Sequence, residues 1–313
     1  MWYPTIQFVC RIYNPTTGLK IWRSVNVTNF VPGSDDKRSS KSDQFTIKFK
    51  TISPTEGDSC SIIANLSDDL QLSFDITRPA AVPGFKIGKG PQGGHSNFGP
   101  DKANPEGYVV HRFWPRTQCS GHIIHKGQAI PAIGPGMFVH TIQGMRPNLI
   151  AASWKFATFH SNDHGGVSAL QMEFKTTDSH GKKGAGTGGV TVNVGAVVYE
   201  GKLLTVTAET QWPGEIVPVD APVQSRATHY DAKLDPDTGY LQPSRVGYVW
   251  SGPAISGSRE TVKATLEIDV GSVEAPRGLV EKVDLLAEIP YAVKLAIAYV
   301  AGTKPYIYQV CCM

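Results

Sequence analysis

Three side chains that could hold a metal stand close together in the chain, Cys119, His122 and His125. Zn²⁺ accepts all three ligand types, provided that they converge on one point. The spacing works against convergence. On a strand, side chains alternate between faces, so Cys119 and His125 fall on one side and His122 on the other. A structural role without metal is expected. Residues 184 to 189, GAGTGG, have the glycine spacing of a dinucleotide loop. Such a loop must lead into a helix whose N-terminus meets the pyrophosphate. Here the strand pattern VTVNVGAVV follows instead, which predicts a hairpin tip. DAKLDPDTGY at 231 to 240 resembles a calcium loop but lacks the glycine at its sixth position and the acid at its twelfth. Its DPDTG core is turn chemistry. No G-x-S-x-G elbow occurs, and the nine histidines show no spacing that singles out a triad. His160 and His164 flank SND in a loop, as a polar binding cluster or as turn formers. No catalytic residue, metal or cofactor is expected.

Apolar chemistry is better represented. Residues 137 to 174 read as three extended stretches whose side chains change character at alternate positions. Met137, Val139, Thr141 and Gln143 fall on one face, with Phe138, His140 and Ile142 on the other. Trp154 and Phe156 share a face, as do Leu170, Met172 and Phe174. This period of two marks strands and excludes an amphipathic helix. In a β-barrel the inward face either fills with side chains or encloses one ligand. Methionines at 137, 145 and 172 suit an adaptable apolar lining. His140 and Gln143 could orient a head group. The lipid-binding candidates are therefore Met137, His140, Gln143, Trp154, Phe156 and Met172. Not all six can share a face, so some are expected to be core.

The elements that must position them are strands almost throughout. Residues 2 to 13, 21 to 30, 43 to 52, 59 to 65 and 70 to 77 read as strands, with turns at NPTTG and SPTEGD. A breaker-rich segment from Arg78 to Gly107 is expected to be a long loop, a feature more often functional than accidental. Strands resume at 108 to 114, 117 to 125 and 136 to 143. A domain boundary is placed near MRPN, 145 to 148, giving units 1–147 and 148–313. The second unit has strand patterns at 151 to 159, 167 to 175, 190 to 198, 202 to 209, 225 to 232, 245 to 250 and 260 to 269. Pro290 and Gly302 bracket a run of good helix formers, which predicts one packed helix over about 290 to 301. The strand PYIYQV follows. The predicted fold is all-β: two lipocalin-like antiparallel barrels or sandwiches with a C-terminal helix.

Bulk properties agree with two domains, since 313 residues is about twice the common domain length. Thirty basic residues against 27 acidic ones give a net charge of +3, too mild to imply nucleic acid. Five cysteines in a chain of this length are not a disulfide framework. No secretory signal pattern opens the sequence. The apolar stretch 283 to 301 is interrupted by Asp284, Glu288, Pro290 and Lys294, which argues against a span. An intracellular, soluble protein is expected. The CCM ending fails the prenylation pattern because residue 310 is Val.

Six segments carry a family resemblance. They are PGFKIG at 83 to 88, NPEGYVVHRFWPR at 104 to 116, the stretch 137 to 174, VNVGAVV at 192 to 198, LDPDTGYLQPS at 234 to 244 and VAGTKPYIYQ at 300 to 309. In this order they resemble the fungal survival factor 1 family, tandem lipocalin-like proteins associated with lipid handling and resistance to oxidative stress. The resemblance implies a non-enzymatic carrier. It would bind a ceramide-like sphingolipid or other apolar small molecule and move it between endoplasmic reticulum and Golgi. The same resemblance implies a cytoplasmic protein at the periphery of those membranes, with a nuclear location left open. Family members are expected to reach membranes through an amphipathic helix ahead of the first barrel. Residues 1 to 30 have the strand period instead, so the chain looks N-terminally shortened relative to the family and should bind vesicles weakly. The same fold also serves hydratases and cyclases acting on apolar terpenoid or polyketide substrates, which is the enzymatic alternative.

Overall fold

A computed structural model describes residues 6–34, 38–53, 57–88, 95–98, 107–144, 151–178, 189–211, 216, 218, 221–236, 238–272, 275, 277, 279–284 and 306–311. Every strand pairing in it is antiparallel. The all-β expectation therefore holds. The helix expected over 290 to 301 lies outside the described residues.

The chain opens with the hairpin of β1 (Gln7–Asn14) and β2 (Leu19–Asn26). Its turn follows from NPTTG: the Asn14 Oδ1 accepts from the backbone N–H of Thr16 and Thr17 at 3.0 and 3.1 Å, and Gly18 takes the left-handed conformation at φ 69°. A ten-stranded sheet comes next. It comprises β3 (Val31–Pro32), β4 (Ser40–Lys41), β5 (Phe45–Ser53), β6 (Gly57–Ser67), β7 (Leu70–Arg78), β8 (Phe85–Ile87), β9 (His95–Phe98), β10 (Gly107–His125), β11 (Gln128–Pro131) and β12 (Gly134–Gln143). The long loop expected between Arg78 and Gly107 is thus incorrect as drawn. β8 and β9 lie within it and both pair with β10. Three alternating residues, Phe85, Lys86 and Ile87, suffice for β8 because a long partner strand already stands beside them.

β10 also joins what the sequence divides into two strands. Between Trp114 and Thr117 it advances three residues while β12 advances two, from Phe138 to Gly136. The extra residue makes a β-bulge at Pro115–Arg116. A bulge is where a strand tolerates proline. It also changes which residues face inward. Before it, Phe113 and His111 share a face with Val139 and Thr141; after it, Thr117, Cys119 and Ile123 take the face of Trp114 and Phe138. That second face covers the first core, built on Phe45, Ala64, Leu66, Leu70, Leu72 and Ile123 with the hairpin residues Cys10 and Ile21. Phe49, Trp114 and Phe138 form an aromatic group on the same side, with ring centroids 4.9–5.6 Å apart.

From residue 151 onward a four-stranded sheet runs β13 (Ala151–Ser161), β14 (Val167–Thr176), β15 (Thr191–Tyr199) and β16 (Lys202–Gln211). A three-stranded sheet packs across it. This sheet contains β17 (Gln224–Tyr230) and, after the short pair β18 (Lys233–Leu234) and β19 (Leu241–Gln242), β20 (Arg245–Pro253) and β21 (Thr261–Asp269). A final pair consists of β22 (Leu279–Asp284) and β23 (Tyr306–Cys311). The DPDTG turn fastens this pair to the rest: the Tyr308 hydroxyl donates to the Asp235 carboxylate, and Gly239 accepts the left-handed conformation at φ 71°. Among the described residues no strand before Gly144 pairs with one after Ala151. The two halves meet through side chains instead. Val82 and Phe113 from the first half are packed with Leu170, Met172, Val194, Ala196, Val198 and Leu203 from the second in one buried cluster.

Candidate functional site

Strand register decides which predicted residues can meet. Phe156 stands opposite Met172 and Trp154 opposite Phe174, so these four share one face of the β13–β16 sheet. Leu170, Val194 and Ala196 continue that face. It meets the face of β8, β10 and β12 that carries Phe85, Ile87, Phe113, Met137 and Val139. Met137 packs against the same cluster as Met172, together with Phe85, Ile87 and Val139. The structure thus brings Met137 and Met172 together, and Met172, only 3% exposed, is core. Trp154 and Phe156 lie farther out on edge strand β13, where they are 51% and 45% exposed. Their rings extend the buried apolar junction into an accessible apolar surface. The edge-to-face contact of Trp154 with Phe174, at 6.4 Å, holds one of them in place.

The two polar candidates do not join this group. His140 pairs with Arg112 and belongs to the opposite face of β12, beside Phe138. Gln143 shares the face of Met137 but is exposed near the end of the strand. A residue the sequence reading missed takes the expected place. His111, opposite Thr141 and Ile87, stacks on Phe113 with centroids 5.7 Å apart, and its Nε2 is buried without a partner. Burial lowers its pKa from 6.5 to about 4, so the imidazole is neutral. The alternation Val109, His111, Phe113 was visible in the sequence as a polar residue on an apolar face.

The candidate metal ligands remain apart. Between residues 118 and 125 the register with β7 is unbroken, Cys119 opposite Ile76, His122 opposite Ser73 and His125 opposite Leu70, which leaves His122 on the face away from the other two. In GAGTGG, residues 184–188 lie outside the described residues. His164 occupies a left-handed position, φ 49°, in the turn before β14 and stacks on Tyr199 at 6.0 Å. His160 is part of a junction network. The Arg116 guanidinium, presented by the bulge, enters the second half and donates to Ser161 O, Val167 O, Ser168 Oγ and Asn162 Oδ1 at 2.9–3.0 Å. Ser168 Oγ stands 2.8 Å from His160 Nδ1 and can donate to it. Burial, reinforced by the Arg116 charge, lowers the His160 pKa to about 4.

The interior of the second half lies on the other face of the same sheet. Ala169, Val197 and Trp250 are buried there with Phe159, Tyr248, Ala264 and Leu266 around them. They border a shallow recess of about 10 Å³, room for a single water, that opens to solvent between β13 and β21. This is below the roughly 300–1,000 Å³ of usual ligand pockets. The same face becomes polar along the strands, with Gln171, Asn193 and Thr207 fully buried. Glu173 is directly opposite Lys155 and paired with it at 2.9 Å.

Comparison with known proteins agrees with the apolar reading. The model of the Svf1 family matches residues 1–312. The ceramide-binding protein svf1 of Schizosaccharomyces pombe is 32% identical over 312 residues, covering 98% of this chain and 70% of that protein. The Aspergillus fumigatus protein of the same name is also 32% identical, over 309 residues, covering 98% of this chain and 67% of its own. Ceramide-binding protein SVF1 of Yarrowia lipolytica is 30% identical over 312 residues, covering 97% and 71%. A family match across nearly the whole chain, with relatives at this identity, leads to one conclusion: the chain belongs to the Svf1 family.

Proposed function

We propose that this protein binds a ceramide-like sphingolipid and carries it between endoplasmic reticulum and Golgi membranes, working as a peripheral cytoplasmic protein that supports survival under oxidative stress. One observation carries the binding step. The apolar junction of the two halves continues outward through Trp154 and Phe156, large rings left half exposed beside a closed core. Accessible aromatic surface rooted in a packed cluster is suited to receive an acyl chain. At about 0.8 kcal/mol per buried methylene, a sixteen-carbon chain offers on the order of 12 kcal/mol as an upper bound. The two halves, divided near residue 147, would supply the walls, and neutral His111 a hydrogen-bonding group within them. The ceramide-binding names of the relatives support the ligand class. The hydratase or cyclase alternative needs an acid/base pair in a substrate-sized cavity, and Glu173 is engaged by Lys155.

The test compares ceramide loading of Trp154→Ala with that of Lys202→Ala, an exposed control, at matched stability. A several-fold loss in Trp154→Ala alone is expected. Equal loading by the two variants would remove Trp154 from the site.

A further inference from the structure

The first half carries a different chemistry on the face of β10 turned away from the junction. Lys86, Arg112 and His140 stand in one row across β8, β10 and β12, with Arg112 directly opposite each of the other two. Neighbouring strands lie about 4.8 Å apart, so the three side chains fall within a span of about 10 Å on one face. Lys86 and Arg112 are cations set opposite each other, an arrangement that destabilises strand pairing. Arg112 is the informative member. It is half-buried, its guanidinium has no hydrogen-bond or ion-pair partner among the described residues, and its Nε is out of contact with solvent. The carboxylate on this face among the described residues is Asp58, which Arg78 already engages through Nε and Nη2 at 3.1 and 2.9 Å. A partly desolvated charged donor without an acceptor is costly. The row calls for an anion that is not part of the chain.

What lies next to the row narrows the choice of anion. Trp114 follows Arg112, and Phe138 precedes His140, by two residues on the same face. With Phe49 they form the aromatic group described above. Trp114 is buried, whereas Phe49 and Phe138 are only partly covered and offer apolar surface beside the cations. A further guanidinium, that of Arg38, lies 4.8 Å from the Phe49 ring centroid. Lys86 is exposed and Arg112 and His140 half-buried, so the row reaches solvent without an enclosed cavity. Guanidinium, ammonium and imidazole all donate N–H groups. A phosphate monoester has three acceptor oxygens and nearly two negative charges, enough to serve all three donors. A carboxylate has two oxygens and one charge, and a neutral amide or hydroxyl offsets no charge at all.

We propose that Lys86, Arg112 and His140 bind the phosphate of a monophosphorylated amphiphile, whose apolar part lies on Phe49 and Phe138. This site is separate from the one around Trp154 and Phe156, because the junction takes the opposite face of β10 and β12, the one carrying Phe113 and Val139. It does not depend on the ceramide reading, and ceramide, which carries no charge, is not its ligand. A site built to pair with a charged group rejects the analogue that lacks it by large factors.

The experiment is isothermal titration calorimetry of the intact protein with lysophosphatidic acid, chain-matched monoacylglycerol and inorganic phosphate, each lipid below its aggregation concentration. Wild type and the control Lys202→Ala are expected to bind lysophosphatidic acid at least tenfold more tightly than either of the others, and several-fold more weakly as salt is raised. Arg112→Gln should lose at least tenfold in that affinity. Lys86→Gln, a change at an exposed side chain that leaves the core untouched, should lose several-fold. In phosphate-free buffer the thermal midpoint of Arg112→Gln should stay equal or rise, because the change removes a cation without a partner. A lower midpoint with unaltered affinity marks a structural arginine and overturns the site. Unaltered affinity in both variants overturns it as well. Equal binding of monoacylglycerol by wild type overturns the phosphate assignment, and equal binding of inorganic phosphate overturns the amphiphile. Ceramide loading should be unchanged in both variants; its loss together with lysophosphatidic acid binding overturns the separation of the two sites.

Discussion

Arg116 shows how much one side chain can carry. A buried cation is ordinarily matched by a carboxylate, yet this guanidinium is received by four neutral oxygens of the other half of the chain. Its burial lowers its pKa, but arginine stays charged. Removing it strands two carbonyls, so Arg116→Ala should lower stability by about 2–4 kcal/mol. Arg116→Lys should recover only part of this, because a single ammonium lacks the planar fork. The measurement is the urea midpoint at constant slope; an Arg116→Ala midpoint equal to wild type would contradict the assignment. The neighbouring imidazoles make a pH prediction. His111 and His160 have folded pKa values of about 4 against 6.5, so the unfolded chain takes up their protons first as the pH falls. Their contribution is intact above pH 6.5 and is lost progressively toward pH 4. Stability should therefore decline between pH 6.5 and 5, before most carboxylates titrate, and His111→Phe should flatten that slope. An unchanged slope in His111→Phe would show that His111 is not buried as described.

At the scale of elements, the β13–β16 sheet is covered on both faces, by the first half on one side and by β17, β20 and β21 on the other. Gly195 on β15 makes the second contact close. A Cβ there would stand 2.5 Å from Trp250 Cδ1 and 2.6 Å from Thr207 Oγ1, and nearer still to Ser225 Oγ. Gly195→Ala should cost about 1–3 kcal/mol, the usual range for overpacking, and shift Trp250 emission to the red as the sheets part. Unaltered emission and stability would mean that the two sheets are not in contact at this point. The main strands were legible in the sequence because period-two alternation marks them, as in 137 to 143 and 167 to 175. What alternation could not show was a change of face. The bulge at Pro115–Arg116 reverses the phase of β10, so the two strands expected there are one strand serving two different packing surfaces. Short β8 and β9 escaped for another reason: a strand of three or four residues owes its existence to its partner. The candidate site was half legible. Register confirms the shared face of Trp154 and Phe156, but which sheet covers it depends on the packing of distant strands. For the same reason the interior polar cluster, Gln171, Asn193 and Thr207, gave no local signal.

The whole molecule is one chain folded as two sets of strands that exchange no backbone ladder among the described residues and share an apolar cluster and an arginine anchor. The ceramide-binding names of the relatives support the proposed ligand class, and the half-exposed rings of Trp154 and Phe156 are the proposed point of entry. Native mass spectrometry with lipid identification, on the protein isolated from its own host, tests the central claim most directly. The account predicts one sphingolipid of the ceramide class bound per chain. A protein free of lipid, or one carrying only bulk phospholipid in proportion to its abundance, would contradict it.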